Sequence, residues 1–406
     1  MADIDVLLAG LAKFKFFFIR LRLGCNGVMS CPLTEAKCNP ELIFAEDENL
    51  PNVPVIVRFS SVFRRGFEVL HRNNKSDVRL DEKAEIAANV LQKYMTDKEK
   101  HAKCLNSILG IIAEMDNVEC KKTILAEALA VHLLGPLCPS QSFIINENCM
   151  KNGGKECRCG CKTSVAYGAT GIGNEEVWHG FADIMLLCTG KEKEPFASAT
   201  VVSDNHQIPG SSFDAVVIPA KRQKMDYDNS SDEEEGEEEI PGKSSVTEIN
   251  LSTSDPHVID QALAQTIVFA SLQRQRHPSF HNHLIPNIVI SSHHFRVVMY
   301  DAELDVLICS DEIPIFFRGQ LLPSAIKALW LVLHYEMFCT GIPGKDGLLE
   351  EVTSKFRQRV QPKLNMYDKE LKVGVSSFPF QKEFSTPKDN EVCDFIDWEH
   401  YIEQRS

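Results

Sequence analysis

Hydrophobic positions change their period several times along the chain, and each change marks an element. The apolar start, MADIDVLLAGLAKFKFFFIRLRLG, is broken by Lys13, Lys15, Arg20 and Arg22 and begins with acids. It fits neither a signal peptide nor a membrane span, and reads as a docked strand or amphipathic segment. The rest of residues 1–80 shows no sustained period and is expected to be irregular. From Asp81 the pattern becomes helical: DEKAEIAANVLQKYM places Ile86, Val90 and Leu91 at helical spacing, with Asp81 as N-cap. A second helix is predicted near CLNSILGIIAEM and a third over KKTILAEALAVHLL, ended by Gly135-Pro136.

Strand-like text starts near Ser164 and is strongest in FADIMLL; FASATVVSD and SFDAVVIPA extend it. Residues 221–243 have no apolar period and read as disordered, and SSVTEINL resumes as a short strand. SDPHVIDQALAQTIVFASLQRQRH is the clearest helix. Ser254 or Asp255 caps it, Pro256 takes its first turn, and Ile259, Leu263, Ile267 and Ala270 form its core face. IPNIVIS, then the hairpin FRVVMYD and LDVLICSD, read as strands, and LPSAIKALWLVLHYEMF as a late helix. No internal repeat is present. This order predicts a mixed α/β core.

Composition changes the picture in two places. The net charge of −14 argues against nucleic acid, yet nine acids lie between Asp226 and Glu239, and without them the balance is about −5. The fourteen cysteines include Cys188 and Cys309 inside apolar runs, where thiols act as small hydrophobes, so a reducing compartment is expected. No membrane association is predicted.

The candidate chemistry starts at VWHGFADIMLL, where Asp183 stands at the mouth of an apolar strand. A carboxylate there is costly unless it is paired or holds a metal. Glu248 and Asn250 share one face of the SVTEINL strand by alternation. With Asp183 they would supply two carboxylates and an amide, a set suited to Mg²⁺ or Mn²⁺. Gln261 and Gln265 lie four apart on the next helix, and Glu127 sits among apolar residues on an earlier one. In this order, Gly180-Phe181-Ala182-Asp183, Glu248-Ile249-Asn250 and Gln261 resemble the motifs of the PD-(D/E)XK nuclease superfamily, over roughly residues 115–310. The resemblance implies a restriction-endonuclease-like fold: a mixed four- to five-stranded sheet flanked by helices. It also implies Asp183 and Glu248 as metal ligands, Glu127 as a further acid, and cleavage of nucleic acid, DNA before RNA. The family has lysine where this chain has Asn250, which brings no positive charge. A metal-dependent nuclease and a catalytically inactive binder of nucleic acid or protein are therefore both open.

The expected division is an irregular 1–80, a helical 81–135, core halves at 136–220 and 246–345 around a disordered 221–245, and an extension over 346–406. Cys149, Cys157, Cys159 and Cys161 invite a zinc reading. Their C-x-C-x-C spacing is tighter than the usual pairs and no downstream pair matches, so plain thiols are the favoured account. His277, His281, His283, His293 and His294 read as surface loop histidines, and Lys162, Arg274 and Arg276 as solvated ends that could also touch phosphate. Lys221 to Lys224 fits a nuclear-import patch, against a cytoplasmic alternative. Ser230 and Ser231 fit acid-directed phosphorylation, and the acidic tract could hold a basic protein partner. The phosphate-loop, dinucleotide, deaminase and serine-hydrolase patterns are absent.

Overall fold

The computed structural model describes residues 10–45, 53–72, 81–187, 194–202, 256–280, 284–343 and 346–378. Glu248, Asn250, SFDAVVIPA, SSVTEINL, Ser254, Asp255, His281, His283 and the whole basic and acidic tract lie outside these residues.

The chain is mixed α/β, with one large mixed sheet of eleven strands rather than four or five. In chain order these are β1 (Lys15–Leu21), β2 (Pro40–Leu42), β3 (Ile56–Arg58), β4 (Phe143–Asn146), β5 (Tyr167–Gly168), β6 (Ile184–Leu187), β7 (Pro195–Val201), β8 (Leu284–Ile290), β9 (His294–Asp301), β10 (Val306–Ser310) and β11 (Ile313–Pro314). Their spatial order is β2-β1-β10-β9-β8-β7-β6-β4-β5, with β3 on β1 and β11 on β9. Neighbours are antiparallel except β7–β8 and β4–β5. Strands β6 and β8 are buried along their whole length, which is why their text is continuously apolar instead of alternating.

The apolar start of the N-terminal segment is a docked strand, β1, second from one end of the order, and the rest, expected to be irregular, supplies β2, β3 and the short helices Phe59–Val62 and Arg64–Arg72. Phe16 of β1 pairs with Ser310 of β10 and Ile19 with Leu307, and Phe16 stacks on Phe59, which stacks on Phe63. The C-terminal extension is equally integrated. Phe356 stacks on Trp178, and the Tyr367 hydroxyl donates to the Gly27 carbonyl at 2.7 Å.

Helix α1 (Glu82–Ala113) starts as expected, with the Asp81 carboxylate accepting the Ala84 amide. It then runs unbroken through both predicted helices, because TDKEKHAK contains neither Gly nor Pro and is rich in good helix formers. Ile86 is 54% exposed, and Ala84, Ala87, Val90, Leu91 and Tyr94 make the buried face in its place. Helix α2 (Val118–Leu129), capped by Asn117, passes into a π turn, Ala130–Leu134, and a last turn, Gly135–Leu137. The Gly-Pro pair does not stop the chain there. A Cβ at Gly135 would stand 2.5 Å from the Ala130 carbonyl oxygen and 2.8 Å from the Phe143 ring, so only glycine lets the π turn close against β4. Helix α3 (Pro256–Arg276) crosses from β7 to β8, the connection a parallel pair requires. Its Ile259, Leu263, Ile267 and Ala270 are buried as expected. Helix α4 (Pro323–Leu333) packs through Trp330, whose indole donates to the Ala87 carbonyl of α1 at 2.8 Å.

A smaller sheet is built from Lys372–Val375, Gly171–Gly173, Trp178–Phe181 and Cys31–Pro32, in that order. The run VWHGFADIMLL is therefore split between two sheets, and Asp183 sits at the crossing point. Among the described residues no helix is long and apolar enough to cross a membrane.

His334, 4% exposed at the end of α4, has Nδ1 2.8 Å from the Trp330 carbonyl. Burial pulls its pKa from 6.5 to about 4, an effect only partly opposed by that hydrogen bond. Between those values the unfolded chain binds more protons than the folded one, so stability rises with pH. Acidification from 6.5 to 4 should remove about 3 kcal/mol through this group. Urea unfolding of wild type and His334→Gln across this window should give a flatter pH profile for the variant; parallel profiles would contradict the assignment.

Candidate metal centre and the Asp183 site

Three cysteines converge because their loop folds back tightly. The Cys157 amide donates to the Thr163 carbonyl at 2.9 Å and the Gly160 amide to the Cys157 carbonyl at 3.3 Å, with Gly160 and Lys162 in the left-handed region. Every second side chain then faces the same way, toward the π turn of α2. The fourth group is His132, in the middle of that turn. Its Nε2 lies 3.1 Å from Cys159 Sγ, 3.4 Å from Cys157 Sγ and 3.7 Å from Cys161 Sγ, and the Cys157 and Cys159 sulfurs are 3.5 Å apart.

A tetrahedral ion with N and S ligands at about 2.0 and 2.3 Å needs ligand–ligand edges of about 3.5 to 3.8 Å, so the set is close to metal-binding geometry without rearrangement. The electrostatics suit it too. Burial, then the charges of His101 and Lys100, hold His132 neutral, with a pKa of about 4, and neutral imidazole is the ligand form. Burial raises the Cys157 thiol, whereas Cys161 is lowered despite its own burial, through hydrogen bonds with Thr163. His132, Cys157, Cys159 and Cys161 form a group that could hold a metal ion, and among the described residues it is the only such group of three or more His, Cys, Asp or Glu.

Two expectations change here. Cys149 is not in the group; it lies beside Thr123, Lys122 and Asp183. The missing ligand is upstream, in AVHLL, where a lone histidine in an apolar helical run was the only trace of it.

The loop is pinned a second time by Glu127, which is 1% exposed. Its Oε1 accepts the Gly154 amide at 3.0 Å and the Tyr167 hydroxyl at 2.6 Å. A Cβ on Gly153 would run into that hydroxyl and stand 2.7 Å from Glu127 Oε1, so glycine is needed at this approach. Glu127 thus serves the glycine turn. Asp183, 7% exposed, has both oxygens engaged: Oδ1 lies 2.9 Å from Lys122 Nζ and Oδ2 accepts the Val201 amide at 2.8 Å. Burial alone would lower the Lys122 ammonium, but the charge and hydrogen bond of Asp183 outweigh it and hold its pKa above the ordinary value.

Strand β7, antiparallel to the Asp183 strand, reads PFASATV and carries no charged residue. Ser198 and Thr200 join a buried network in which Thr200 donates to Gln265 Oε1 at 3.2 Å. Ser198 and Gln265 both donate to Asn287 Oδ1, at 3.0 and 3.2 Å. Of the two glutamines, Gln265 enters this network and Gln261 stays half-buried one turn earlier. Arg276 and His277 face Glu194, and Arg274 faces Asp368, so these helix-end cations are turned toward the protein's own acids. His293 and His294 belong to no metal group.

No protein-family model matches the chain, and no curated protein or solved structure is significantly similar to it.

The purified chain is expected to carry one thiophilic divalent ion, and Co²⁺ loading should give the visible bands of a tetrahedral thiolate site. His132→Ala or Cys157→Ser should abolish stoichiometric binding, and Cys149→Ser should leave it unchanged. Metal analysis by mass spectrometry decides, and full binding by the His132 variant would remove it from the ligand set.

Proposed function

We propose that the protein is a zinc-stabilised, restriction-endonuclease-like protein that binds nucleic acid without cutting it. Zinc is the ion that a Cys₃His set of this size takes most readily, with all four positions filled by protein and none left for a substrate. That makes the centre structural.

The adjacent strands β4-β6-β7-β8, mixed in direction and accompanied by α2 before and α3 within, support the nuclease-like reading of the core. The observation that carries the absence of cleavage is the pairing at Asp183. Its neighbour β7 offers no carboxylate and no lysine, and Lys122 occupies the aspartate from α2. A cation entering there would have to displace an ammonium and a backbone amide, and among the described residues Asp183 belongs to no group of metal-ligating side chains, which makes a poor Mg²⁺ site. The preference for nucleic acid rests on the family resemblance, and the buried hydroxyl and amide groups of β7, β8 and α3 act in this reading as core supports.

Incubation with single- and double-stranded DNA and RNA in Mg²⁺ or Mn²⁺ should yield no cleavage, and anisotropy titrations should show binding that weakens steeply with salt. Cleavage that disappears in both Asp183→Ala and Glu248→Ala would instead make the protein a working nuclease completed from residues 203–255.

A further inference from the structure

Between β11 and α4 the chain turns in a short hairpin. Phe316–Phe317 pairs antiparallel with Gln320–Leu321, and Arg318 and Gly319 close the loop with φ of 50° and 74°. Two positive φ values in a two-residue loop make a type I′ turn, for which Asn-Gly is the ordinary filling. Arginine stands here in a left-handed position that suits Asn or Gly better, so local conformation does not account for it. The turn is fixed at both ends. At its tip the Asn106 side-chain amide, from α1, donates to the Gly319 carbonyl at 2.7 Å. At its base the Leu322 amide donates to the Ile315 carbonyl at 2.8 Å, and the Ile315 amide to the His293 carbonyl at 2.7 Å.

Presented at this turn is Phe317, 58% exposed and the one exposed aromatic side chain among the described residues. The Arg318 guanidinium lies over one face of its ring, 5.2 Å from the centroid, and the exposure leaves the other face open. A guanidinium stacked on a ring keeps its N–H fork directed outward, able to donate to a phosphate. We propose that the hairpin is a stacking finger for single-stranded nucleic acid, with one base on the open face of Phe317 and Arg318 holding the phosphate beside it. The inference rests on the nucleic-acid reading above and gives it a contact surface and a strand form.

The surroundings select this partner over its rivals. Residues 313–322 contain no acid, and Glu312 just before them faces Arg296 at 3.9 Å. On α1, Lys103 stands exposed one turn before Asn106, and the exposed His293 and His294 flank the base of the hairpin. Basic groups around a single bare ring are what a stacked, phosphate-bearing strand requires. A protein partner would need a contiguous apolar patch, whereas alternation turns Phe316 toward the core and puts Gln320 opposite Phe317. A duplex would have to be unstacked before one of its bases could reach the ring.

The test titrates the full chain with labelled oligo-dT, oligo-U and a mixed-sequence duplex by anisotropy, and maps photocrosslinks from iodouridine-substituted strands by peptide mass spectrometry. Single strands should bind more tightly than the duplex, and the crosslink should fall on Phe317. The tighter of oligo-dT and oligo-U assigns the finger to DNA or to RNA. Phe317→Ala should weaken single-strand binding about tenfold with the salt dependence unchanged, because stacking releases no counterion. Phe317→Tyr should restore it. Arg318→Asn, which suits the turn, should weaken binding and lower the slope of log K against log salt by about 0.7, the loss of one phosphate contact. Wild-type affinity in Phe317→Ala, a crosslink confined to other residues, or tighter binding of the duplex overturns the inference and leaves the nucleic-acid reading standing. Absence of wild-type binding to all three overturns both.

Discussion

Polar side chains drawn into the core along one helix need partners, and helix α2 with its π turn finds one for each of three, while leaving Glu127 Oε2 without one, in a way that organises everything around it. Lys122, Glu127 and His132 follow one another at five-residue intervals. Lys122 neutralises the aspartate at the crossing of two sheets. Glu127 fastens the glycine turn and Tyr167, and His132 meets three thiols. A buried group without its partner costs on the order of 1–3 kcal/mol, and more when charged. The segment from Phe143 to Leu187 is thus held to α2 by three separate demands. The π turn is what aims the last of them, since one added residue rotates His132 off the face an α-helix would give it.

Holding the cysteine loop by polar contacts is a necessity of its composition. From Glu147 to Ser164 the only fully buried side chain is Cys157, so apolar burial contributes little there. The sheet is the opposite case: β6 and β8 bury every residue and need no ion. Loss of an ion held by this group would accordingly be a local event, loosening the loop while the sheet persists.

Legibility in the sequence follows the same division. Period revealed α3 and the hairpin β9–β10, and capping the start of α1, because those elements are decided by local pattern. The strong apolar strand at Ile184 was legible, and so was the oddity of Asp183. Its partners were not: Lys122 lies 61 residues earlier, and Val201 contributes only a backbone amide. The candidate metal group was half legible. Three cysteines at alternate positions were visible, but the fourth ligand was sought among cysteines, and His132 lies in good helix text whose π turn has no clear periodic signature. The split of VWHGFADIMLL across two sheets was invisible for a similar reason, since both halves read as strand and only tertiary pairing separates them.

The pairing of β1 with β10 also bears on how the chain is made. Phe16 waits for Ser310, and at about 5–20 residues per second the ribosome needs roughly 15 to 60 s to supply it. Through that interval KFFFIRL is a nascent strand with strong β-forming text and an unfilled edge, the kind of segment that invites self-association. Its four flanking and interspersed cations, Lys13, Lys15, Arg20 and Arg22, then act as gatekeepers on the nascent chain. The same residues that spoil the segment as a membrane span would keep it single until its neighbour has been synthesised.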